Sequence, residues 1–202
     1  MIKRTMDLGL SLLLILGVLS WLLPLLALVL TMDSRGPVFF IQKRRKKGSG
    51  SFGCIKLRTM RVNPEADTRI ALEGDERITR VGRWLRDTHL DELPQLFNVL
   101  WGDMSLVGPR PYMLQEDRLY DKVLKNYAGR ALVKPGITGL AQAAGLFGAT
   151  GNLADMERRL NLDLLYVQAW SPALDLQILA ATVRFLKPSV RFQKSSPHEV
   201  YA

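Results

Sequence analysis

Asp91 and Glu92 stand side by side in the stretch Arg86-Asp87-Thr88-His89-Leu90-Asp91-Glu92-Leu93-Pro94-Gln95-Leu96. Proline is tolerated in a first helical turn, so Pro94 predicts a helix that begins around Asp91 and ends near Leu100. Two acids then occupy a helix N-terminus, where free amides and the helix dipole favour anions. The plain reading is an N-cap followed by a first-turn acid. The same place also suits a phosphate, and a carboxylate beside a phosphate needs cations to offset the repulsion. Lys56, Arg58, Arg86 and Arg110 can supply fixed positive charge, and Mg²⁺ the remainder. An aspartate held in line with a diphosphate can attack it and form an acyl phosphate. The spacing permits this chemistry and permits the capping role equally.

The elements around these residues follow from pattern. Val38–Gln42 is a β-prone run after Gly36-Pro37, and Gly48-Ser49-Gly50-Ser51 joins it in hairpin fashion to 52–57. Asn63–Glu76 is polar and reads as a loop. Val81, Trp84, Leu85 and Thr88 fall at helical spacing, as do Leu93, Phe97 and Leu100. The segments 112–132, 154–169 and 174–186 also read as helical. The predicted fold class is α/β, mostly helical, with a small β-hairpin. His89 reads as a packing residue, buried Cys54 as a small apolar group, and Trp84, Trp101 and Trp170 as core or interface anchors.

The whole chain carries 28 Lys and Arg against 19 Asp and Glu, a formal net charge of +9. One cysteine excludes a disulfide framework and any zinc spacing. Lys43-Arg44-Arg45-Lys46-Lys47 reads as attraction to anionic membrane lipids, at about 1 kcal/mol per charge near the surface. It lacks interleaved aromatics and a recognition motif, so no nucleic acid is expected.

Leu8–Leu30 holds no charged residue across its 23 positions. At about 1.5 Å per residue it is long enough to cross a bilayer. Lys3 and Arg4 flank one end, Arg35 and the 43–47 cluster the other, so both ends ask to be cytoplasmic. Pro24 removes a helix donor two-thirds of the way along. A plain span and a re-entrant helix that turns at Pro24 both remain open on these residues.

Three linked blocks make the chain recognisable: 90–100 (LDELPQLFNVL), 102–105 (GDMS) and 107–111 (VGPRP). Pro135-Gly136-Ile137-Thr138-Gly139-Leu140-Ala141-Gln142, Gly36-Pro37-Val38-Phe39-Phe40 and Lys56-Leu57-Arg58-Thr59-Met60 add to them. The chain resembles the bacterial sugar transferases, the small monotopic phosphoglycosyl transferases, over nearly its whole length. The resemblance implies a ping-pong reaction at the cytoplasmic face of the bacterial inner membrane. Asp91 would attack the β-phosphate of a UDP-sugar and release UMP. Undecaprenyl (polyprenol) phosphate would then take the sugar phosphate from the aspartate, as the first membrane step of a surface-glycan pathway feeding downstream glycosyltransferases. Glu92 would hold Mg²⁺ with Asp91 or handle protons. Arg86 and Arg110, with Lys56 and Arg58, would bind the substrate's phosphates.

The resemblance also favours the re-entrant form, and divides the chain into a membrane helix (1–34), a cytoplasmic transferase domain (35–188) and a polar tail (189–202). Leu23 stands where the family often has Ser before the proline, and Lys134 where it usually has Arg. The contrasting expectation is a membrane-anchored, lipid-binding interaction protein whose acid pair is only a helix cap. Nothing in the residues selects the sugar.

Overall fold

The computed structural model describes residues 1–66, 69, 74–148 and 152–185; the expected polar tail lies outside them. The apolar segment forms one continuous helix, Ile2–Asp33. It consists of α1 (Ile2–Leu14), a π turn (Ile15–Leu19) and α2 (Ser20–Asp33), with Pro24 inside α2. The helix is therefore not interrupted at Pro24 itself. The irregularity lies one turn earlier, where the Ser20 N–H reaches back to Ile15 O. A π turn leaves carbonyls without their usual partner, and in an apolar medium each must be satisfied. Ser20 Oγ donates to Leu16 O at 2.7 Å, and Trp21 Nε1 donates to Gly17 O at 2.9 Å.

Both ends of this helix pack on the same domain. In the first turns, Lys3 reaches Asp175 and Arg4 donates to Val99 O and Leu100 O. Asp7, buried, accepts from Ser105 Oγ and from the Leu106 N–H at 2.9 Å. Near the other end Leu26 and Leu30 pack with Leu57 and Leu85. Both ends of the helix therefore rest on the same body, and the expected turn-back at Pro24 is not formed, since the helix runs unbroken through it. The opposite face, with Leu13, Leu16, Leu25 and Leu28, is exposed and apolar. A continuous apolar surface of this kind needs a cover, and the segment is a candidate for embedding in a membrane.

The hairpin forms as expected, with β1 (Phe39–Arg45) antiparallel to β2 (Ser51–Leu57) and Phe40 opposite Lys56. After it come α3 (Arg80–Asp87), α4 (Gln95–Trp101), β3 (Ser105–Val107), α5 (Leu114–Val123), β4 (Gly136–Thr138), α6 (Leu140–Ala143), α7 (Leu153–Ala169) and α8 (Pro172–Phe185). The helical pattern at 112–132 resolves into α5 and a 3₁₀ stretch, Tyr127–Leu132, separated by Asn126 in the left-handed region at φ 61°. β3 and β4 run parallel, which brings the Gly-Pro-Arg-Pro and Pro-Gly-Ile-Thr-Gly blocks together. A Cβ on Gly108 would lie 2.4 Å from Lys134 O, and one on Gly136 2.1 Å from the Gly108 nitrogen. Only glycine allows the two backbones this close.

The main core joins Leu19 of the apolar helix to Phe52 and Cys54 of β2, Leu96 and Val99 of α4, and Tyr166 and Ile178 of α7 and α8. Each such side chain contributes about 1.5–3 kcal/mol by leaving water. Of the two places expected for Trp84, Trp101 and Trp170, the core is excluded, since all three are exposed, Trp101 to 67%, while Trp170 anchors a contact by donating to Asp175. On an apolar-faced protein, exposed indoles fit a headgroup boundary better than an interior.

Candidate active site

The acid pair rides on a short 3₁₀ turn, Leu90–Glu92, rather than on the first turn of an α-helix. Pro94 has no N–H to bond Leu90 O, so the α pattern cannot start there. Instead the Glu92 N–H bonds His89 O at 3.2 Å and the Leu93 N–H bonds Leu90 O at 3.3 Å. Pro94 takes the N-cap of α4, which runs from Gln95. His89 enters the turn in the left-handed region at φ 56°, an uncommon conformation for a non-glycine residue. Its ring meets the Phe147 ring edge-on at 5.6 Å, which makes it a packing residue in this structure.

The two carboxylates lie in opposite environments. Glu92 is clamped: Lys56 Nζ donates to Oε1 at 2.7 Å, and Arg110 forks onto Oε1 and Oε2 at 2.8 and 3.2 Å. Burial works against its ionisation, but Arg110 and Lys56 outweigh it and hold the group well below the usual carboxylate range. Asp91 is buried, and among the described residues no donor bonds its carboxylate. Burial pushes it up to about 6, with the Glu92 charge adding and Lys56, Arg86 and Arg110 pulling the other way. One turn thus carries an acid fixed as a carboxylate and an acid poised near neutrality.

The expected cations divide. Lys56 and Arg110 meet at Glu92. Arg86 donates from Nε to Thr59 Oγ1 at 2.7 Å and acts on Asp91 through its charge. Arg58 is turned away. Its guanidinium bonds Ser34 O and Arg35 O at the end of α2, where C-terminal carbonyls attract a cation. Its place in the fold is a helix cap.

Among the described residues there is no group of three or more His, Cys, Asp or Glu that could cage a metal. Mg²⁺ commonly uses one or two carboxylates and completes its shell with water and substrate phosphates. Asp91, with its unbonded oxygens, and the adjacent Glu92 fit that partial donor set and not a preformed cage.

Residues 1–187 match the bacterial sugar transferase family. The chain belongs to this family. It is 47% identical over 159 residues to a UDP-glucose:undecaprenyl-phosphate glucose-1-phosphate transferase of Xanthomonas campestris pv. campestris, covering 78% of this chain and 33% of the relative. It is 45% identical over 182 residues to a protein of the same description from Caulobacter vibrioides, covering 90% and 68%. A Rhizobium leguminosarum bv. phaseoli exopolysaccharide production protein is 41% identical over 187 residues, covering 90% and 93%. The chain thus spans about a third of the Xanthomonas relative's length and nearly all of the Rhizobium one's.

Within this sugar transferase chain several supports had no signal in the sequence. Arg130, paired with Asp163 at 2.6 Å and lying over the Tyr112 and Tyr127 rings, donates to Arg110 O at 2.7 Å. It holds the main chain from which Arg110 reaches Glu92. Asp7 fastens α1 to β3, the strand that leads into Arg110. The basic cluster is divided: Arg44 and Arg45, half-buried, bond Pro111 O and Asp117, while Lys43, Lys46 and Lys47 stay exposed, Lys46 pairing with Asp103. Acids far away in sequence absorb the Arg45 and Lys46 charges, which no reading of a charge run reveals. An apolar groove of about 280 Å³ opens beside Pro24, lined among others by Leu19, Leu23, Val38 and Phe97.

Proposed function

We propose that this chain transfers a sugar 1-phosphate from a UDP-sugar to undecaprenyl phosphate and releases UMP, with UDP-glucose the first donor to test. The observation that carries the reading is the asymmetry of the acid pair: an unbonded, buried Asp91 beside a Glu92 locked to Lys56 and Arg110. An acid near 6 is mostly ionised at pH 7, yet poorly solvated, which is the state a carboxylate nucleophile needs. The names of the relatives supply the substrate class.

In the proposed course an Asp91 carboxylate oxygen forms a bond to the β-phosphorus of the donor. The bond from that phosphorus to the bridging oxygen breaks, and UMP leaves with the electron pair. An oxygen of undecaprenyl phosphate then attacks the same phosphorus and the Asp91 carboxylate departs unchanged. Arg86 offsets phosphate charge at Asp91, and the Arg110 fork and Lys56 hold Glu92 and the diphosphate in register. When bound, Mg²⁺ supplies further neutralisation of the phosphates, with Asp91 and Glu92 as the residues that would hold it. The apolar groove beside Pro24 offers a place for the lipid's hydrocarbon. A water-soluble nucleotide sugar and a long lipid can meet only at a membrane surface; for a cytosolic donor that is the cytoplasmic face of the inner membrane.

The test is UMP release from UDP-glucose and a panel of other UDP-sugars, with Mg²⁺ and with undecaprenyl phosphate present or absent. Lipid-dependent UMP from one donor is expected. Folded protein that releases none across a broad panel overturns the reading and leaves the non-catalytic, lipid-binding alternative.

A further inference from the structure

The hairpin of β1 and β2 is a two-stranded sheet, so one edge of β2 has no strand beside it. On that edge the Ile55 N–H and the Gly53 carbonyl face α4, where burial makes an unpaired backbone group costly. A single side chain satisfies both. Asn98, 1% exposed, accepts from the Ile55 N–H through Oδ1 at 3.0 Å and donates from Nδ2 to Gly53 O at 2.8 Å. Its carboxamide offers one donor and one acceptor in one plane, as a peptide unit does, and so acts as a one-residue strand.

The position of this contact matters for the site. Asn98 lies on the short, Pro94-started helix that follows the acid turn, six residues after Glu92. Ile55 lies one residue before Lys56, whose ammonium reaches Glu92 at 2.7 Å. The remaining contacts between β2 and α4 come from apolar side chains such as Phe52, Cys54, Leu96 and Val99, which fill space without fixing direction. The ladder with β1 fixes the register within the hairpin; the two Asn98 hydrogen bonds are the directional contacts between β2 and α4, next to the residue that carries the Lys56 ammonium.

We propose that Asn98 is a positioning residue: its carboxamide locks β2 onto α4 so that Lys56 is delivered to Glu92 beside Asp91. The proposal rests on the transferase reading for its assay but not for its geometry. Asn98 touches no substrate; it acts through Lys56.

The experiment is a double-mutant cycle on UMP release by the full chain in detergent or nanodiscs, using Asn98→Ala, Asn98→Asp, Lys56→Met and the two Asn98 changes combined with Lys56→Met. Asn98→Ala is expected to lower kcat/KM about 10–100-fold, the range for partners that orient a working group. Once Lys56 is already Met, the same change should cost less than about 3-fold, because there is no ammonium left to misplace. Asn98→Asp keeps the acceptor for the Ile55 N–H and loses the donor to Gly53 O, so it should fall between wild type and Asn98→Ala. Melting temperatures are measured for all variants. A merely structural role would lower stability and activity alike in both Lys56 backgrounds. Additive losses, or wild-type kcat/KM in a folded Asn98→Ala, would overturn the proposal. If Asn98→Ala does not fold, the same cycle with Asn98→Asp decides it. If the wild type itself releases no UMP, the transferase reading fails; zero-length carbodiimide coupling of Lys56 to Glu92, mapped by mass spectrometry, then tests the positioning directly. Coupling lost in both Asn98 variants supports the proposal, and coupling retained in both rejects it.

Discussion

Asp91 and Glu92 are neighbours in sequence and equally hidden from solvent, yet the structure treats them as different chemical groups. Glu92 receives three hydrogen bonds from two cations; Asp91 receives none from the described residues. Adjacent positions on a 3₁₀ turn point roughly a third of a turn apart, so one side chain bonds Lys56 of β2 and Arg110 while the other bonds neither. The lesson is that a carboxylate pair need not share a role. One member organises the cations, and the other is left expensive to ionise.

The largest expected effect separates the two directly. Asp91→Asn should abolish UMP release, by at least about 10³-fold, while raising thermal stability, because it removes a buried, unbonded charge. An active Asp91→Asn, or one that is less stable than wild type at pH 7, breaks the comparison. Glu92→Gln should lower activity by about 10²-fold and also lower stability, by roughly 2–4 kcal/mol, since it leaves Lys56 and Arg110 facing a neutral amide. Opposite signs of the change in melting temperature for these neighbouring substitutions are the sharpest form of the contrast.

The pH dependence sharpens it further. Asp91, raised to about 6, should impose an acid limb on UMP release, with activity falling as pH drops below that value. The stability effects carry opposite signs. Asp91 favours the folded state below its ordinary value and loses that contribution as pH rises through about 6. Glu92, held low, favours the folded state above its ordinary value and loses that contribution as pH falls toward its depressed one. The stability advantage of Asp91→Asn should therefore grow between about pH 4 and 6 and then level off, as thermal melts across that window would show. The smallest effect is expected at Arg58. Arg58→Met should lower stability by about 1–2 kcal/mol and leave kcat/KM within about 3-fold, since its guanidinium caps α2. A loss of activity without a loss of stability would return Arg58 to the phosphate site.

What was legible in the sequence was local. Alternation and turn residues placed the hairpin, helical spacing placed α3, α7 and α8, and proline bounded the acid turn to within one turn of helix. What was not legible depends on distant partners. Arg58 was read as a phosphate-site cation from its charge and its place in the Lys56–Met60 block, neither of which says that its guanidinium meets Ser34 O and Arg35 O. Within the 43–47 cluster the half-buried pairing of Arg45 was not legible, because Asp117 is far along the chain. Asn98 stands inside the 90–100 block, but it carries no charge, and nothing in the block says that its carboxamide meets β2.

The apolar helix has one more consequence. Lys3 and Asp175 are separated by 172 positions, yet they form a 2.6 Å ion pair, and Leu19, Leu26 and Leu30 supply part of the domain's interior. The apolar helix is thus a structural element of the domain rather than a tether attached to it. The partners of its first turns lie at Val99, Leu100 and Ser105 as well as at Asp175, so the helix ties together segments from the middle and the far end of the described chain. A version trimmed of the helix would lack a wall of its own core.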